Sequence, residues 1–431
     1  MAALCVRHFL IHSQGGAGVW GVKLLVVSQY FWPENFRIND LVADMVARGH
    51  AVTVLTGQPN YPTGRFFPGY GWGRRSTETY QGASIVRVPL VARGRAGAMR
   101  LAFNYLSFAL FGTFGVWLRL REKFDAIFVF EVSPVTVGIP AIAAGRKFKA
   151  PVLFWVLDLW PESLTAAGGV KSPWVLRVVE GLVRLMYRNC ARVLVQSRGF
   201  VAEIVRHGVP EQRILYFPSW GESLFQPLQK ADPAMLPPLL DGFKVLFAGN
   251  IGEAQDMPAV LKAAERLREH TDIHWLIVGD GRMAAWAKEE AQRRGLSQVH
   301  FLGRHPLEAM PHFYAAADAL LLPLKREPIF ALTIPGKLQS YLACARPILA
   351  MLDGEGARIV EEAGAGLSCP AGDAGHLADH VRKLAAMPEA ERRQMGLNGR
   401  KYYEVNFDRA RLFDQLETWL EDAIRERSNT R

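Results

Sequence analysis

The chain has 431 residues, 50% of them apolar and 21% charged, more than one hydrophobic core ordinarily serves, so two domains are expected. Its formal charge of +10 asks for an anionic partner. The basic residues are spread along the chain with neither a zinc-finger spacing nor an aromatic RNA-binding string, which sets nucleic acid aside. The four cysteines, Cys5, Cys190, Cys344 and Cys369, lack CxxC spacing, which excludes a disulfide framework and a zinc site and fits a reducing, cytoplasmic compartment.

Residues 1–21 read as a tail, too broken by Arg7, His8, His12 and a Gln-Gly-Gly run for the apolar region of a signal peptide. Val22–Ser28 is a continuous apolar run, as in strands buried on both faces of a parallel sheet. Ile38, Leu41, Val42, Met45 and Val46 form one stripe of a helix stopping at Gly49, and Ala51–Gly57 returns as a strand, completing a βαβ unit. Leu101–Leu118 is mostly apolar and flanked by Arg93, Arg95, Arg100, Arg119 and Arg121. It borders on the length that spans a bilayer, and two readings stand: a helix lying in an anionic membrane interface, or one buried against the sheet. Further strands are expected at Ala126–Phe130, Val152–Leu157 and Val193–Gln196. Proline-rich Pro218–Pro238 reads as a linker. The pattern then restarts with Val245–Gly249, a helix bearing Val260, Leu261, Ala264 and Leu267, and strands at Trp275–Gly279, Val299–Gly303, Leu320–Pro323 and Ile348–Met351. The expected class is α/β: two Rossmann-like, doubly wound parallel-sheet domains, over 22–225 and 240–405, facing a cleft, with a C-terminal helix over 406–431 crossing back to the first.

Three segments of the second half suit phosphate. In Lys325–Ala350, Thr333 is expected to cap a helix whose first turn holds Pro335 and Gly336. Such a helix start offers free N–H groups and a positive dipole end, beside which Lys337 adds a full charge. Gly249-Asn250-Ile251-Gly252 and Gly279-Asp280-Gly281-Arg282 each follow a strand, where glycine lets backbone approach a phosphate and Arg282 offers a fork of donors. All three lie at carboxyl ends of strands in one domain, and that convergence weighs more than any one motif.

The order GNIG, IVGDGR, FLGR and IPGKLQSYLACARPILA resembles the carboxyl-terminal domain of family-4 retaining glycosyltransferases of GT-B architecture. SQYFWPENFRINDLV, LTGQPNYPTGRF and DLWPES resemble the acceptor domain of the WbuB-like branch, which builds bacterial O-antigen, capsule and colanic acid. The resemblance runs from Val22 to about Phe413. It implies a nucleotide-sugar donor, of the UDP kind, held by Gly249, Asn250, Gly252, Gln255, Gly279, Asp280, Gly281, Arg282, Arg304, Glu327, Thr333, Pro335, Gly336, Lys337, Gln339 and Ser340. It implies a polyprenyl-diphosphate-linked saccharide acceptor near Glu34, Asn35, Asn60, Tyr61 and Glu131, and net retention. The sequence departs from the family twice. Ser340 and Leu332 stand where two glutamates are usual, leaving Gln339 as a possible ribose ligand, and Asn250 and Gln255 stand where an Arg and Lys pair is usual.

With no DxD or HExxH in the chain, no metal and no other cofactor is expected, and Lys337, Arg282 and Arg304 are left to stabilise the departing diphosphate. No histidine occurs between His50 and His207, so a donor phosphate oxygen is expected to take the acceptor's proton. Asp158 and Glu162, after the Val152–Leu157 strand, are the expected first-domain catalytic carboxylates; the bland reading of Asp158 is a helix N-cap with Glu162 as first-turn charge. Peripheral membrane contact is expected through 93–121. The rival readings are a non-hydrolysing UDP-sugar epimerase and a catalytically weak nucleotide-sugar-binding protein.

Overall fold

The computed structural model describes residues 21–94, 97–166 and 172–429; the expected tail, apart from Gly21, and the flanking Arg95 lie outside them. The first sheet holds β1 (Lys23–Ser28), β2 (Ala51–Gly57), β3 (Thr77–Tyr80), β4 (Ala83–Val88), β5 (Ala126–Glu131), β6 (Val152–Val156), β7 (Arg192–Val195) and β8 (Ile214–Tyr216), in the order β3-β4-β2-β1-β5-β6-β7-β8. The second holds β9 (Phe243–Ala248), β10 (Ile273–Val278), β11 (Val299–Gly303), β12 (Ala319–Pro323), β13 (Ile348–Met351) and β14 (Gly366–Cys369), in the order β11-β10-β9-β12-β13-β14. All pairings are parallel except β3 with β4. These are two doubly wound α/β sheets, as the apolar runs imply. Strand order reverses between β1 and β5 and between β9 and β12, and such switch points open the crevices that bind ligands.

β3 and β8 are the edge strands of the first sheet, and β8 is only three residues long, so neither carries the long apolar run of a strand buried on both faces. β3, Thr-Glu-Thr-Tyr, shows only exposed and half-buried residues.

The helix Arg409–Asn429 lies on the first sheet. Phe413 meets Trp220 edge-on at 4.6 Å, Trp220 stacks on Trp155 at 5.8 Å, and the Trp155 indole N–H donates to the Phe217 carbonyl at 2.9 Å. Arg48 of the first domain pairs with Asp414 and Glu417, each at 2.6 Å. In the opposite sense, Ile329 and Leu332 of the second half pack against the core of the first.

The helix Ala98–Leu118 is amphipathic with its faces reversed. Asn104 and Ser107 point inward and are buried; Asn104 accepts from Gln29 at 2.7 Å and donates to the Val91 carbonyl at 2.6 Å. Gly115 sits where a Cβ would meet Val88 at 2.7 Å, so the helix approaches the sheet closely. Met99, Phe103, Leu106, Leu110, Phe114 and Trp117 recur at helical spacing on the outer face, and each is more than half exposed. Neither sequence reading of the segment describes this alone: Phe108 and Val116 are core, while the outer stripe is apolar and uncovered among the described residues.

The aromatic cluster that seats the C-terminal helix predicts its energetics. Phe413→Ala is expected to destabilise the first domain by about 3–5 kcal/mol. In urea denaturation its transition should move to lower denaturant while that of the second domain stays in place.

Candidate functional site

The loops after β9 and β10 are fitted to each other backbone to backbone. Gly249 N–H donates to the Val278 carbonyl at 2.8 Å, Ile251 N–H to Asp280 at 2.9 Å, and Gly279 N–H to Gly303 at 2.7 Å. A Cβ on Gly279, at φ +132°, would lie 1.9 Å from the Gly249 carbonyl oxygen. No other residue type lets these loops come so close. Gln255 accepts from Gly252 N–H at 3.0 Å and so tightens the first loop instead of reaching a ligand.

The helix Gly336–Ala343 opens beside them, but its cap differs from the expected one. Thr333 ends a preceding short helix, Pro328–Leu332, and its hydroxyl donates back to the Ile329 carbonyl at 2.8 Å. Pro335, with φ −63° and ψ 129°, takes the N-cap position without a side-chain bond. Leu338 N–H donates back to the Pro335 carbonyl at 2.9 Å, which leaves the N–H groups of Gly336 and Lys337 with neither an intrahelical nor a side-chain capping partner among the described residues. Lys337 crosses over Gly249, where a Cβ would meet its Cε at 2.4 Å, and its ammonium stands 4.0 Å from the centre of the Phe247 ring. Burial lowers its pKa to about 8.

These parts line a cavity of about 840 Å³ between the two halves, a size suited to a small-molecule ligand. Gly249, Asn250, Gly279, Asp280, Gly281, Arg304, Gly336, Lys337 and Ser340 line it. Gly252, Gln255, Arg282, Glu327, Thr333, Pro335 and Gln339 do not. Arg282 is exposed, and Glu327 faces Lys325 at 4.0 Å. The buried Gln339 amide, turned so that its nitrogen donates, bonds the Pro335 and Gly336 carbonyls at 3.0 Å. It holds the helix start together.

An ion pair and an apolar wall in the lining escape sequence reasoning. Arg37, from the first domain, pairs with Glu222 of the connecting segment at 2.8 Å, and Ser340 donates to Glu222 at 3.4 Å. No spacing rule joins positions so far apart in the chain. Leu307, Met310 and Tyr314 add an apolar wall, with Phe225 stacked on Tyr314 at 5.4 Å.

The first-domain residues divide by role. Glu34 is buried and accepts from Asn60 N–H and Tyr61 N–H at 2.7 Å and from Phe31 N–H at 3.2 Å, so it clamps loops; burial raises its pKa to about 7 against those bonds. The buried Asn60 accepts from Arg93 N–H at 3.0 Å. Asn35 is exposed, and Tyr61 is 40% exposed with the Arg93 guanidinium over its ring. Asp158 N–H donates to Glu131 at 3.4 Å. Burial raises the pKa of Asp158 to about 7, and burial followed by the Asp158 charge raises that of Glu131. Asp158 does not cap the helix Glu162–Ala166, which begins beyond it. Asp158, Glu162 and Glu131 stand outside the cavity that holds Lys337.

Residues 242–387 match the family described as "Glycosyl transferases group 1", and 35–220 match the "Glycosyl transferase 4-like domain". A putative colanic acid biosynthesis glycosyl transferase, WcaI, of Escherichia coli K12 is 30% identical over 75% of this chain and 81% of its own. Sucrose-phosphate synthase of Thermosynechococcus elongatus superposes with a TM-score of 0.70 at 17% identity, covering 93% of this chain and 98% of its own. Anabaena HepE, solved with UDP and glucose, gives 0.63 at 13% identity over 93% and 99%.

A buried ammonium that titrates near pH 8 predicts proton-linked anion binding. The dissociation constant for pyrophosphate, by calorimetry, is expected to be level below pH about 8 and to rise toward tenfold per pH unit above it, as Lys337 loses its charge. In Lys337→Arg that rise should vanish, because guanidinium stays charged. A level profile in the unaltered protein would contradict the assignment.

Proposed function

The chain belongs to the group 1 glycosyltransferases with a family-4-like amino-terminal domain, and on that premise we propose that it transfers a sugar with retention, without a metal, from a UDP-linked donor to a lipid-linked saccharide in bacterial surface polysaccharide assembly. The observation that carries the reading is the cavity in which Lys337, Arg304, the glycine loops and an uncapped helix start converge. Fixed dipoles and cations in a cleft stabilise charge that develops on a leaving group.

In the proposed reaction the anomeric C–O bond to the diphosphate breaks as the acceptor oxygen approaches the same face. The acceptor's proton passes to the departing phosphate oxygen, so no histidine is required. Lys337 and the N–H groups of Gly336 and its neighbours meet the new charge, and the apolar wall of Leu307 and Met310 receives the base. UDP is favoured by the bound state of HepE, and the polysaccharide setting by the relative from Escherichia coli. The protein works on the cytoplasmic side of the membrane. The outer stripe of Ala98–Leu118 lies in the lipid interface, joined by Trp174, Val178 and Leu185 of the helix Pro173–Arg188, all at least half exposed. Both helices pack on Gly138–Phe148, and Arg100, Arg119 and Arg121 are exposed on the same helix and just beyond it, each adding about 1 kcal/mol near an anionic surface.

Lys337→Ala is expected to lower turnover on the order of 10²-fold at saturating donor, and transfer should continue in EDTA. Near-normal turnover of the variant, or loss in EDTA with recovery on manganese, would contradict the mechanism.

For the membrane, Phe103→Ser with Leu106→Ser and Leu110→Ser should abolish pelleting with phosphatidylglycerol vesicles while the thermal midpoint stays within a few degrees, since these side chains are outside the core. High salt should release the unaltered protein only in part. Absence of pelleting by the unaltered protein would refute the contact.

A further inference from the structure

We propose that Arg37 is the cleft's third cation for the donor's diphosphate, supplied from the first domain and held in reserve by Glu222 until the donor's hydroxyls engage that carboxylate. The inference rests on the nucleotide-sugar reading of the cleft and names residues that reading does not use.

Arg37 is the first residue of the helix Arg37–Ala47. A cation there opposes the positive end of the helix dipole, so its placement does nothing for its own helix. Its guanidinium points instead into the cavity otherwise built by the second half, where its Nη2 meets Glu222 Oε1 at 2.8 Å. The other oxygen of Glu222 accepts from Ser340 at 3.4 Å. Ser340 lies one turn beyond Lys337 on the same helix, so the two side chains share a face. The chain of contacts Arg37, Glu222, Ser340 thus links a permanent charge from the far side of the cleft to the helix that carries Lys337.

The pair is suited to exchange. Its side chains keep 22% and 37% of their exposure, and ion pairs so open to water are weak. A diphosphate offers guanidinium a bidentate partner, and the vicinal hydroxyls of a ribose offer two donors to the released carboxylate. Besides Asp280, Glu222 is the only carboxylate among the described residues lining this otherwise cationic cavity. A carboxylate beside the diphosphate site would repel it, but a carboxylate turned to hydroxyls orients the nucleotide. A further, permanent cation matters because burial lowers the pKa of Lys337 to about 8, whereas guanidinium stays charged in that range.

The test measures donor turnover, donor KM, inhibition by UDP and the pH profile for Arg37→Ala and Arg37→Lys, with UDP and 2′-deoxy-UDP compared for Glu222→Ala. Because UDP carries the charge that the donor develops only on bond breaking, Arg37→Ala should cut kcat on the order of 10²-fold. It should weaken UDP inhibition roughly tenfold while donor KM stays within roughly threefold. Its activity should fall more steeply above pH 8 than that of the unaltered enzyme, and Arg37→Lys should recover part of the loss. Glu222→Ala should erase the preference for UDP over 2′-deoxy-UDP. Unchanged kcat and UDP inhibition in Arg37→Ala, equal changes in KM and UDP affinity, or an undiminished ribose preference in Glu222→Ala would overturn the proposal. If Lys337→Ala also left UDP binding intact, the nucleotide reading of the cleft would itself fail.

Discussion

The stem of Lys337 lies across Gly249, and much of the second domain's architecture serves that contact. An ammonium placed in a cleft loses hydration, and burial alone brings its pKa to about 8. The protein offsets part of this with the Phe247 ring at 4.0 Å and with a helix start whose N–H groups leave room for an anion. A side chain at 249 would occupy the space of the lysine stem, and one at 279 would push the second loop off the first. The glycines thus set where the charge can stand, and the reversal of strand order between β9 and β12 sets where the crevice opens.

The first domain contributes differently. Glu34 and Glu131 are buried and Asp158 is half-buried, desolvation raises the pKa of all three, and Glu34 is occupied with loop N–H groups. What it presents outward is the reversed helix Ala98–Leu118. Burying Asn104 and Ser107 in hydrogen bonds while leaving Phe103, Leu106 and Leu110 in water costs stability in solution. That arrangement becomes favourable once an apolar surface covers the outer face.

Buried parallel strands were legible in the sequence because both faces must be apolar, as in Leu24 to Val27 or Leu246 to Ala248. Edge elements such as β3 lack that signature. Thr333 misled because a threonine shortly before Pro335 and Gly336 suits a cap, yet Pro335 itself preset the extended backbone at the N-cap and left Thr333 to end the preceding turn. Arg282 looked useful by neighbourhood to Gly279, but the loop turns its side chain outward. Arg37 and Glu222 were illegible for the opposite reason: their meaning comes from two domains facing each other. In Ala98–Leu118 the sequence shows a mostly apolar helix, and only the structure reveals that the polar Asn104 and Ser107 mark its inward face.

The proposed function stands on two glycine loops and one helix start acting as a diphosphate cradle in the second domain. Hydrogen exchange with and without UDP tests it most directly, because backbone N–H groups that bind phosphate become protected. Protection is expected in these three segments at Asn250, Asp280, Gly336 and Lys337, whose N–H groups are not already donated within the protein, and is lost in Lys337→Ala, with no comparable change in the strands of the first sheet. Protection confined to the first domain, or none at these three segments at saturating UDP, would contradict it.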